Sequence, residues 1–313
     1  MDKQFEPLVN KGVILVTGGD GFIGRAVCAT LHAQGKPVVA LDRTPAGAPP
    51  RDPAYLAVAC DIRDRDHVEQ VFRQHAITTV VHLASLLNTA SRKNPRQATQ
   101  VNVDGSLNVL EAARASGVFR VVYGSSISVY GSQPGSGRRR GVSETTPAAP
   151  EDLYGATKRY VEILGEAYRQ RFGVQFVALR IASVVGPGAV NTSSPWRSEM
   201  FDKLGLPEEA EVSFPYRGDE ALPLLHVQDV AEMIAGLVVA ERVSFPVYNS
   251  PSETWTLEEL AGYIESLGEH VRVRLGQSNV SGIPTVVDGQ RFTTEFGFSP
   301  TPLREHLRCA ADG

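Results

Sequence analysis

Two side chains near the middle of the sequence, Tyr154 and Lys158, have the chemistry of a general acid or base and its electrostatic partner. They stand four residues apart in a predicted helix, so they share one helix face. A free tyrosine, with a pKa of about 10, is a poor base near neutrality, and a neighbouring ammonium group would lower that pKa. Taken alone, the two residues are more simply an exposed helix pair. Their interpretation depends on the elements around them.

Hydroxyl groups cluster after the predicted strand 120–123, where the segment 124–131 includes Ser125, Ser126 and Ser128. The carboxyl ends of parallel strands form the edge at which open α/β sheets bind ligands. The cluster therefore predicts substrate contacts at that edge.

A glycine-rich turn near the start of the chain predicts a phosphate-binding site. The apolar run Val13–Val16 is typical of a buried strand, and Phe22 and Ile23 open a predicted helix that reaches residue 34. Between them, Gly18 permits a tight turn, Gly21 lets backbone N–H groups approach a pyrophosphate, and Gly24 lets the helix lie close to the strand. An ordinary glycine-rich strand-to-helix turn is the alternative.

Asp42 follows the next apolar run, 18 residues after Gly24. A carboxylate at this position can bind the two ribose hydroxyls of NAD and would repel the 2′-phosphate of NADP. The sequence therefore favours NAD. The neighbouring Arg43 leaves NADP as an alternative.

Two further strand ends predict cofactor contacts. After the third apolar run, Asp61 could bind the adenine amino group and Ile62 could cover a face of the ring, although helix capping by Asp64 or Asp66 explains the acidic residues equally well. The fourth strand ends in small residues suited to close passage of the cofactor, namely Leu83, Ala84 and Ser85.

Two buried polar residues have structural interpretations. His82 lies inside an apolar run, so it is expected to be a core histidine with satisfied hydrogen bonds rather than a catalytic residue. Asn102 falls among the core positions of the predicted helix 97–116, where a buried amide needs partners. It is also a candidate cofactor contact.

The pattern of elements predicts an α/β fold with a doubly wound parallel sheet, because six apolar strands alternate with helices. The periodicity changes after residue 186. We expect an NAD-binding Rossmann domain over 1–186, and over 187–313 mainly a smaller substrate-binding lobe with elements that return to the first domain.

The composition is that of an ordinary globular protein, with 313 residues, 42% hydrophobic and 21% charged. A net charge of −4 gives no electrostatic case for nucleic acid as a partner. Three cysteines without metal-ligand spacing indicate a reducing cytoplasm and no metal site. No signal peptide or membrane span is apparent.

The order of these motifs resembles the extended short-chain dehydrogenase/reductases, the NAD-dependent epimerase/dehydratase family, across nearly the whole chain. The motifs that carry the resemblance are the segments 17–24, 61–62, 82–84, 125–131, 154–158, 186–188, 226–230 and 292–303. The resemblance implies that Tyr154 is the general acid or base, that Lys158 also binds the nicotinamide ribose, and that Ser126 binds the reacting substrate oxygen. It also implies a homodimer formed through helices around 97–116 and 152–172.

Departures from the family pattern narrow the expected reaction. The dehydratases carry an Asp-Glu pair where this chain has Ile127-Ser128, so sugar dehydration is disfavoured. Ser183 and the segment 222–224 replace an Asn and an Arg-containing run that contact the substrate diphosphate. Positive charge could come instead from Arg217, from Arg180 or Arg197, or from the arginine run 138–140, whose alternative is a solvated loop.

We therefore predict an NAD-dependent oxidoreductase or epimerase acting on a secondary alcohol of a sugar or nucleotide sugar. Substrate contacts are expected from Ser126, Ser128, Ser183 and Arg217. Two alternatives remain open: a net dehydrogenase or reductase of a sugar acid or small ketone, and a catalytically idle dinucleotide-binding regulator.

Overall fold

A computed structural model describes residues 12–44, 54–132, 141–189, 194–268 and 270–312. The chain divides into two compact units. The first contains the chain up to Ser126, Asp152–Arg180 and Ala231–Tyr248. The second contains Ile127–Glu151, Ile181–Val230 and the chain from Asn249 onward. The predicted domain boundary at residue 186 stays a prediction.

The first unit is built on a seven-stranded sheet with the strand order β10-β6-β5-β4-β1-β2-β3. This order reverses direction at β1, as in a doubly wound Rossmann sheet, and it confirms the predicted fold class. The strands are β1 Val13–Thr17, β2 Val38–Asp42, β3 Tyr55–Ala59, β4 Ile77–His82, β5 Arg120–Ser126, β6 Gln175–Ile181 and β10 Val247–Asn249.

The central strands are almost wholly apolar because both of their faces are covered. β1 pairs in parallel with β2 and with β4, and β4 pairs in parallel with β5. Leu15 and Val80 are completely buried in the core on these strands. Continuous apolar runs of this kind are typical of parallel sheets packed between helices.

Helices that connect the strands begin and end at recognisable caps. Asp64 accepts a hydrogen bond from the backbone N–H of His67 and starts α2, and Asp152 does the same for Gly155 at the start of α6. Gly173 ends α6 in the left-handed conformation. The helices described here are α1 Phe22–Ala33, α2 Arg65–His75 and α6 Leu153–Phe172.

The single helix expected over 97–116 consists of several elements. It follows α3 (Asn88–Lys93) and contains α4 (Pro95–Thr99), a π-helical segment (Gln100–Gly105) and α5 (Ser106–Ala115). Asn94 ends α3 and caps α4, with Pro95 at its first position. The apolar spacing correctly predicted helical structure over this range. It carries no signal for the π-helical segment, whose turn is wider than that of an α-helix.

The second unit has its own core, in which Trp196, Phe214 and Leu257 are buried. Its two small sheets have the orders β11-β9-β7 and β12-β8. The strands and helices are β7 Ser183–Val185, α7 Trp196–Asp202, β8 Ala210–Tyr216, β9 Ala221–His226, β11 Glu253–Thr256, α9 Leu257–Leu267, β12 Val271–Ser278, α10 Gln290–Phe296 and α11 Leu303–Asp312.

Strand β9 ends at His226, and α8 (Val227–Val239) begins directly after it. No helix within the described ranges has the length and apolar character to cross a bilayer.

Candidate functional site

The glycine turn joins β1 to α1 with little space around its backbone. Gly18 has φ +68°, a conformation that favours glycine, and a Cβ there would lie 2.8 Å from the backbone nitrogen of Ala84. A Cβ on Gly24 would lie 1.9 Å from the carbonyl oxygen of Gly18, so no side chain fits there. Gly21 is exposed, and Phe22 and Ile23 are half-buried in the first turn of α1. The turn therefore has no side chain at Gly18, Gly21 or Gly24, and Gly21 is exposed just before the N-terminus of α1. This arrangement suits the binding of a pyrophosphate.

Asp42 ends β2 beside this turn. One carboxylate oxygen accepts a hydrogen bond from the backbone N–H of Asp20 at 3.2 Å, and the other accepts from the N–H of Arg43 at 2.7 Å. These contacts hold the half-buried carboxylate next to the turn, while Arg43 is exposed. The arrangement suits a carboxylate that binds ribose hydroxyls.

The chain after β4 is tied to the turn and to neighbouring helices. The N–H of Leu83 donates to the carbonyl of Thr17 at 3.1 Å, and the N–H of Ala84 donates to the Thr17 hydroxyl at 3.3 Å. Ser85 is half-buried in the same segment. These contacts fix the backbone whose small residues were predicted to line the cofactor.

The side chain of Asn102 is buried and holds that segment through hydrogen bonds. Its amide oxygen accepts from the N–H of Leu86 at 2.7 Å, and its amide nitrogen donates to the Leu86 carbonyl at 3.0 Å and to the Thr157 hydroxyl at 3.1 Å. Asn102 thus joins the loop after β4 to α6. The structure gives it the partners that its burial requires, and its cofactor contact stays a prediction.

The predicted adenine contacts have other partners in this structure. Arg63 binds the Asp61 carboxylate through two guanidinium nitrogens, and this bond lowers the pKa of Asp61. Ile62 is buried in the core of the first unit, against Gly105. A cavity of about 520 Å³ opens beside Asp61 and is lined by Asp61, Arg63, Asp64, Gln100 and Asp104.

His82 is a buried core histidine, as expected. Its Nδ1 lies 2.6 Å from the Thr17 hydroxyl and its Nε2 lies 2.9 Å from the Ser106 hydroxyl. Burial and the charge of Lys158 lower the pKa of His82 to about 3, so the ring is neutral at physiological pH.

Tyr154 and Lys158 lie in the first two turns of α6. The Lys158 ammonium donates to the carbonyl of Gly124 at 2.6 Å, and it lies 5.5 Å from the centre of the Tyr154 ring and 4.8 Å from that of Tyr123. The predicted pair therefore makes contact. Tyr154 is half-buried, whereas Lys158 is only 2% exposed.

Burial governs the ionisation of Lys158. It lowers the pKa of the ammonium to about 7, against the opposite effect of the nearby Glu162 carboxylate. A lysine in this state changes its charge close to neutral pH, where a neighbouring acid or base would respond to it.

Glu162 is the residue of this site that the sequence argument missed. It lies one turn beyond Lys158 on α6 and forms a buried ion pair with Arg180 of β6 at 2.7 Å. Arg180 was considered as a source of charge for substrate, but the structure places it in this pair. The spacing of four residues after Lys158 was the available signal.

The remaining predicted contacts lie at several places in the fold. Ser126 ends β5 and is 9% exposed. In the second unit Ser128 and Ser183 are buried, and Arg217 is an exposed residue paired with Asp219 at 2.6 Å. The arginine run 138–140 lies outside the described residues. The roles of these side chains in substrate binding stay predictions.

A second polar cluster lies in the second unit. Its His226 and Asp229 belong to the motif 226–230, whereas its third member, His306, had no signal in the sequence. His226 and His306 stack with their ring centres 3.7 Å apart and their planes at 15°, and His306 Nε2 lies 3.0 Å from the Asp229 carboxylate. Two imidazoles that bind one ion direct their nitrogens towards a common point. Rings stacked face to face do not, so we interpret the cluster as a tertiary contact of α11.

A family model described as the NAD dependent epimerase/dehydratase family matches residues 14–249. The chain belongs to this family. A dTDP-4-dehydro-6-deoxy-D-allose reductase of a Streptomyces species is 32% identical over 95% of this chain and 94% of its own length. The crystal structure of the Thermus thermophilus UDP-glucose 4-epimerase in complex with NAD covers 96% of this chain and 98% of its own, with 27% identity and a TM-score of 0.81.

A second solved structure resembles the chain equally well. The L-threonine dehydrogenase from Phytophthora infestans is 27% identical, with a TM-score of 0.83 over 96% of this chain and 97% of its own. The proteins that this chain resembles therefore include a reductase, an epimerase and a dehydrogenase. This family member is accordingly an NAD-dependent enzyme of the extended short-chain dehydrogenase/reductase type, which disfavours the idle regulator.

The family's cofactor fits the residues present in this chain. The cradle at Gly18 and Gly24 has no room for side chains, and Asp42 holds its carboxylate beside it. These residues would hold the pyrophosphate and the adenosine ribose of NAD. The residues present therefore fit NAD, the cofactor of the family.

Proposed function

We propose that this enzyme interconverts a secondary alcohol and a ketone on a nucleotide-linked sugar, with Tyr154 as the general acid and base. The observation that carries the proposal is the contact between Tyr154 and the buried ammonium of Lys158 at the start of α6. This pairing gives a tyrosine the positive charge it needs to act near neutral pH.

The chain's own groups handle the proton and the substrate oxygen. Bound NAD supplies the acceptor or donor of the hydride. In oxidation, the Tyr154 phenolate takes the proton of the substrate hydroxyl, and Lys158 stabilises the phenolate electrostatically. Ser126 donates a hydrogen bond to the same substrate oxygen. In reduction, Tyr154 returns the proton to that oxygen.

The preference for a nucleotide sugar rests on the relatives, which include a dTDP-sugar reductase and a UDP-glucose 4-epimerase. We assign Ser126 to the reacting oxygen and keep Ser128, Ser183 and Arg217 as proposed substrate contacts. An epimerase would return the hydride to the other face of the ketone, whereas a reductase would consume NADH.

A second candidate is the oxidation of a small hydroxy compound. The resemblance to the L-threonine dehydrogenase from Phytophthora infestans favours it, because that structure matches as well as the epimerase does. Net production of NADH from a hydroxy amino acid would identify this activity.

We also propose that two copies associate through α5 and α6 and that the enzyme is cytoplasmic. Leu107, Tyr160 and Ile163 lie on these helices with exposed fractions of 39%, 52% and 56%. Apolar side chains of this size commonly mark an interface. The three free cysteines suit a reducing compartment. Light scattering that shows only a monomer would contradict the dimer.

The enzymatic proposal is tested with nucleotide sugars, 4-ketosugar nucleotides and hydroxy amino acids, by following NADH absorbance and sugar epimers. Tyr154→Phe is expected to lower kcat by about 10²- to 10⁴-fold and to leave NAD affinity unchanged. Tyr160→Phe, on the exposed side of the same helix, is the matched control and should keep its activity. Equal activity of Tyr154→Phe and the wild type would refute the proposed role.

A further inference from the structure

Glu162 lies on α6 one helical turn beyond Lys158 and is 2% exposed. Its carboxylate accepts hydrogen bonds from Arg180 at 2.9 and 2.7 Å, from the Ser125 hydroxyl at 2.6 Å and from Arg159 at 2.9 Å. Burying a carboxylate is costly unless it is fully paired. Burial raises the pKa of this carboxyl, but the bonds from Arg180, Ser125 and Arg159 outweigh burial and lower the pKa overall, so Glu162 is charged one helical turn from Lys158.

Charges around Lys158 show what Glu162 contributes. Lys158 and Arg180 are both buried cations, whereas the side chain of Arg159 is 38% exposed and reaches solvent. Arg180 cannot lose its proton in a protein. If Glu162 were neutral, the repulsion from Arg180 would be uncompensated and would lower the pKa of Lys158. Lys158 would then release its proton.

Among the residues that the structure describes, the other titratable groups that face Lys158 carry no negative charge to replace Glu162. His82 of β4 is neutral because burial lowers its pKa to about 3. Tyr123 of β5 is also neutral because burial raises its pKa well above the ordinary value. Tyr154 is the reacting group itself.

Strand β5 connects the same groups through consecutive residues. The Gly124 carbonyl accepts from Lys158, and the Ser125 hydroxyl donates to Glu162. The next residue is Ser126, the proposed contact to the substrate oxygen. Glu162 therefore belongs to the helix that carries Lys158 and is bonded to the strand that carries Ser126.

We propose that Glu162 is a positioning residue for the acid/base chemistry: it is the fixed counter-ion that keeps Lys158 charged beside Tyr154. The effect of Glu162 on turnover rests on the proposed function. Its effect on the ionisation of Lys158 and Tyr154 involves only groups of this chain and can be measured without substrate.

The test is a titration of Tyr154 in the NAD-bound protein. The near-ultraviolet phenolate absorbance is followed against pH in Glu162→Gln and in the wild type, and each is corrected by the corresponding Tyr154→Phe protein. We expect Glu162→Gln to raise the midpoint of Tyr154 ionisation by about one pH unit or more. With an identified substrate, the acidic limb of the kcat profile should move upward by the same amount.

Two variants separate this role from a general loss of structure. Glu166→Gln makes the same change one turn later on α6, at a side chain that pairs with the exposed Arg169, and should leave the midpoint unchanged. The double variant Glu162→Gln/Arg180→Met removes one charge of each sign. It is expected to bring the midpoint back to within about half a pH unit of the wild type.

Every outcome bears on the inference. A folded Glu162→Gln protein that titrates like the wild type would overturn it. If Glu162→Gln does not fold, the double variant decides, because a midpoint far from the wild-type value would also overturn it. A shift in Tyr154 titration without turnover of any substrate would support the inference and refute the proposed function.

Discussion

Two carboxylates, Glu162 in the first unit and Asp229 in the second, are buried away from water. Different partners compensate each of them for the lost hydration. Glu162 is bound by Arg180 and lies one turn from Lys158. Asp229 accepts from the backbone N–H of Thr301 at 2.9 Å and lies 3.0 Å from His306. Both are almost completely removed from solvent.

The partners determine how each cluster responds to pH. A guanidinium group keeps its charge at every pH at which the protein is folded, whereas an imidazole changes charge near neutrality. The cluster around Glu162 therefore presents a constant field to the proposed catalytic pair. The cluster around Asp229 contains His226, whose pKa burial lowers to about 4, so this cluster changes charge in mild acid.

The largest expected effect comes from removing the counter-ion in the first unit. Glu162→Leu leaves Lys158 and Arg180 buried without a negative partner, and should lower the free energy of unfolding by about 4 kcal/mol. Urea unfolding measures it at neutral pH. A loss below about 1 kcal/mol would show that the two cations are solvated well enough without Glu162.

The second cluster should lose stability in acid. Burial, and then His306, lower the pKa of His226 to about 4 from its ordinary 6.5, so between these values the unfolded chain binds a proton that the folded chain does not. Stability therefore falls as the pH drops from 6.5 to 4. This difference in pKa corresponds to about 3 kcal/mol.

His226→Gln tests this by removing the titrating ring. Urea unfolding of this variant between pH 7 and pH 4 should show a smaller decline than the wild type, and His67→Gln is the control on a partly exposed histidine. Equal declines in the wild type and His226→Gln would mean that His226 binds its proton equally in both states.

Neutralising the second carboxylate should have a smaller effect. Asp229→Asn keeps an oxygen for the Thr301 N–H but loses its charge beside His306, and should cost about 2 kcal/mol. Asp219→Asn, which changes the exposed pair with Arg217, is the control. If both variants lost the same stability, the burial of Asp229 would have no energetic consequence.

The smallest effect is expected on the solvent side of α6. Glu166 pairs with Arg169 at 2.7 Å where both side chains are partly exposed. Glu166→Gln should therefore change the free energy of unfolding by less than about 0.5 kcal/mol, and added salt should reduce the difference further. A larger cost, insensitive to salt, would contradict the contrast between buried and exposed pairs on one helix.

Local signals in the sequence were sufficient for the parts of the site formed within one strand-turn-helix unit. Gly18, Gly24 and Asp42 could be placed because glycine spacing and strand periodicity fix a β-α-β unit. Tyr154 and Lys158 could be paired because four residues make about one helical turn. These residues lie on the predicted elements, and their roles in binding and catalysis stay predictions.

Contacts between distant segments could not be predicted in the same way. Arg180 meets Glu162 only because β6 packs against α6, and His306 meets His226 only because α11 folds back onto the end of β9. Asn102 was recognised as a buried amide in need of partners, but its partners at Leu86 and Thr157 depend on tertiary packing. A single sequence carries no direct signal for such pairings.

The π-helical segment Gln100–Gly105 has a consequence for how this region tolerates change. A π-helical turn holds one residue more than an α-helical turn. Deleting one residue there would leave an ordinary α-helical turn, so α5 would keep its rotational phase, with Val109 and Leu110 in the core and Leu107 exposed. The additional residue of this segment is therefore absorbed within one wider turn and does not change which side chains of the following helix face the core.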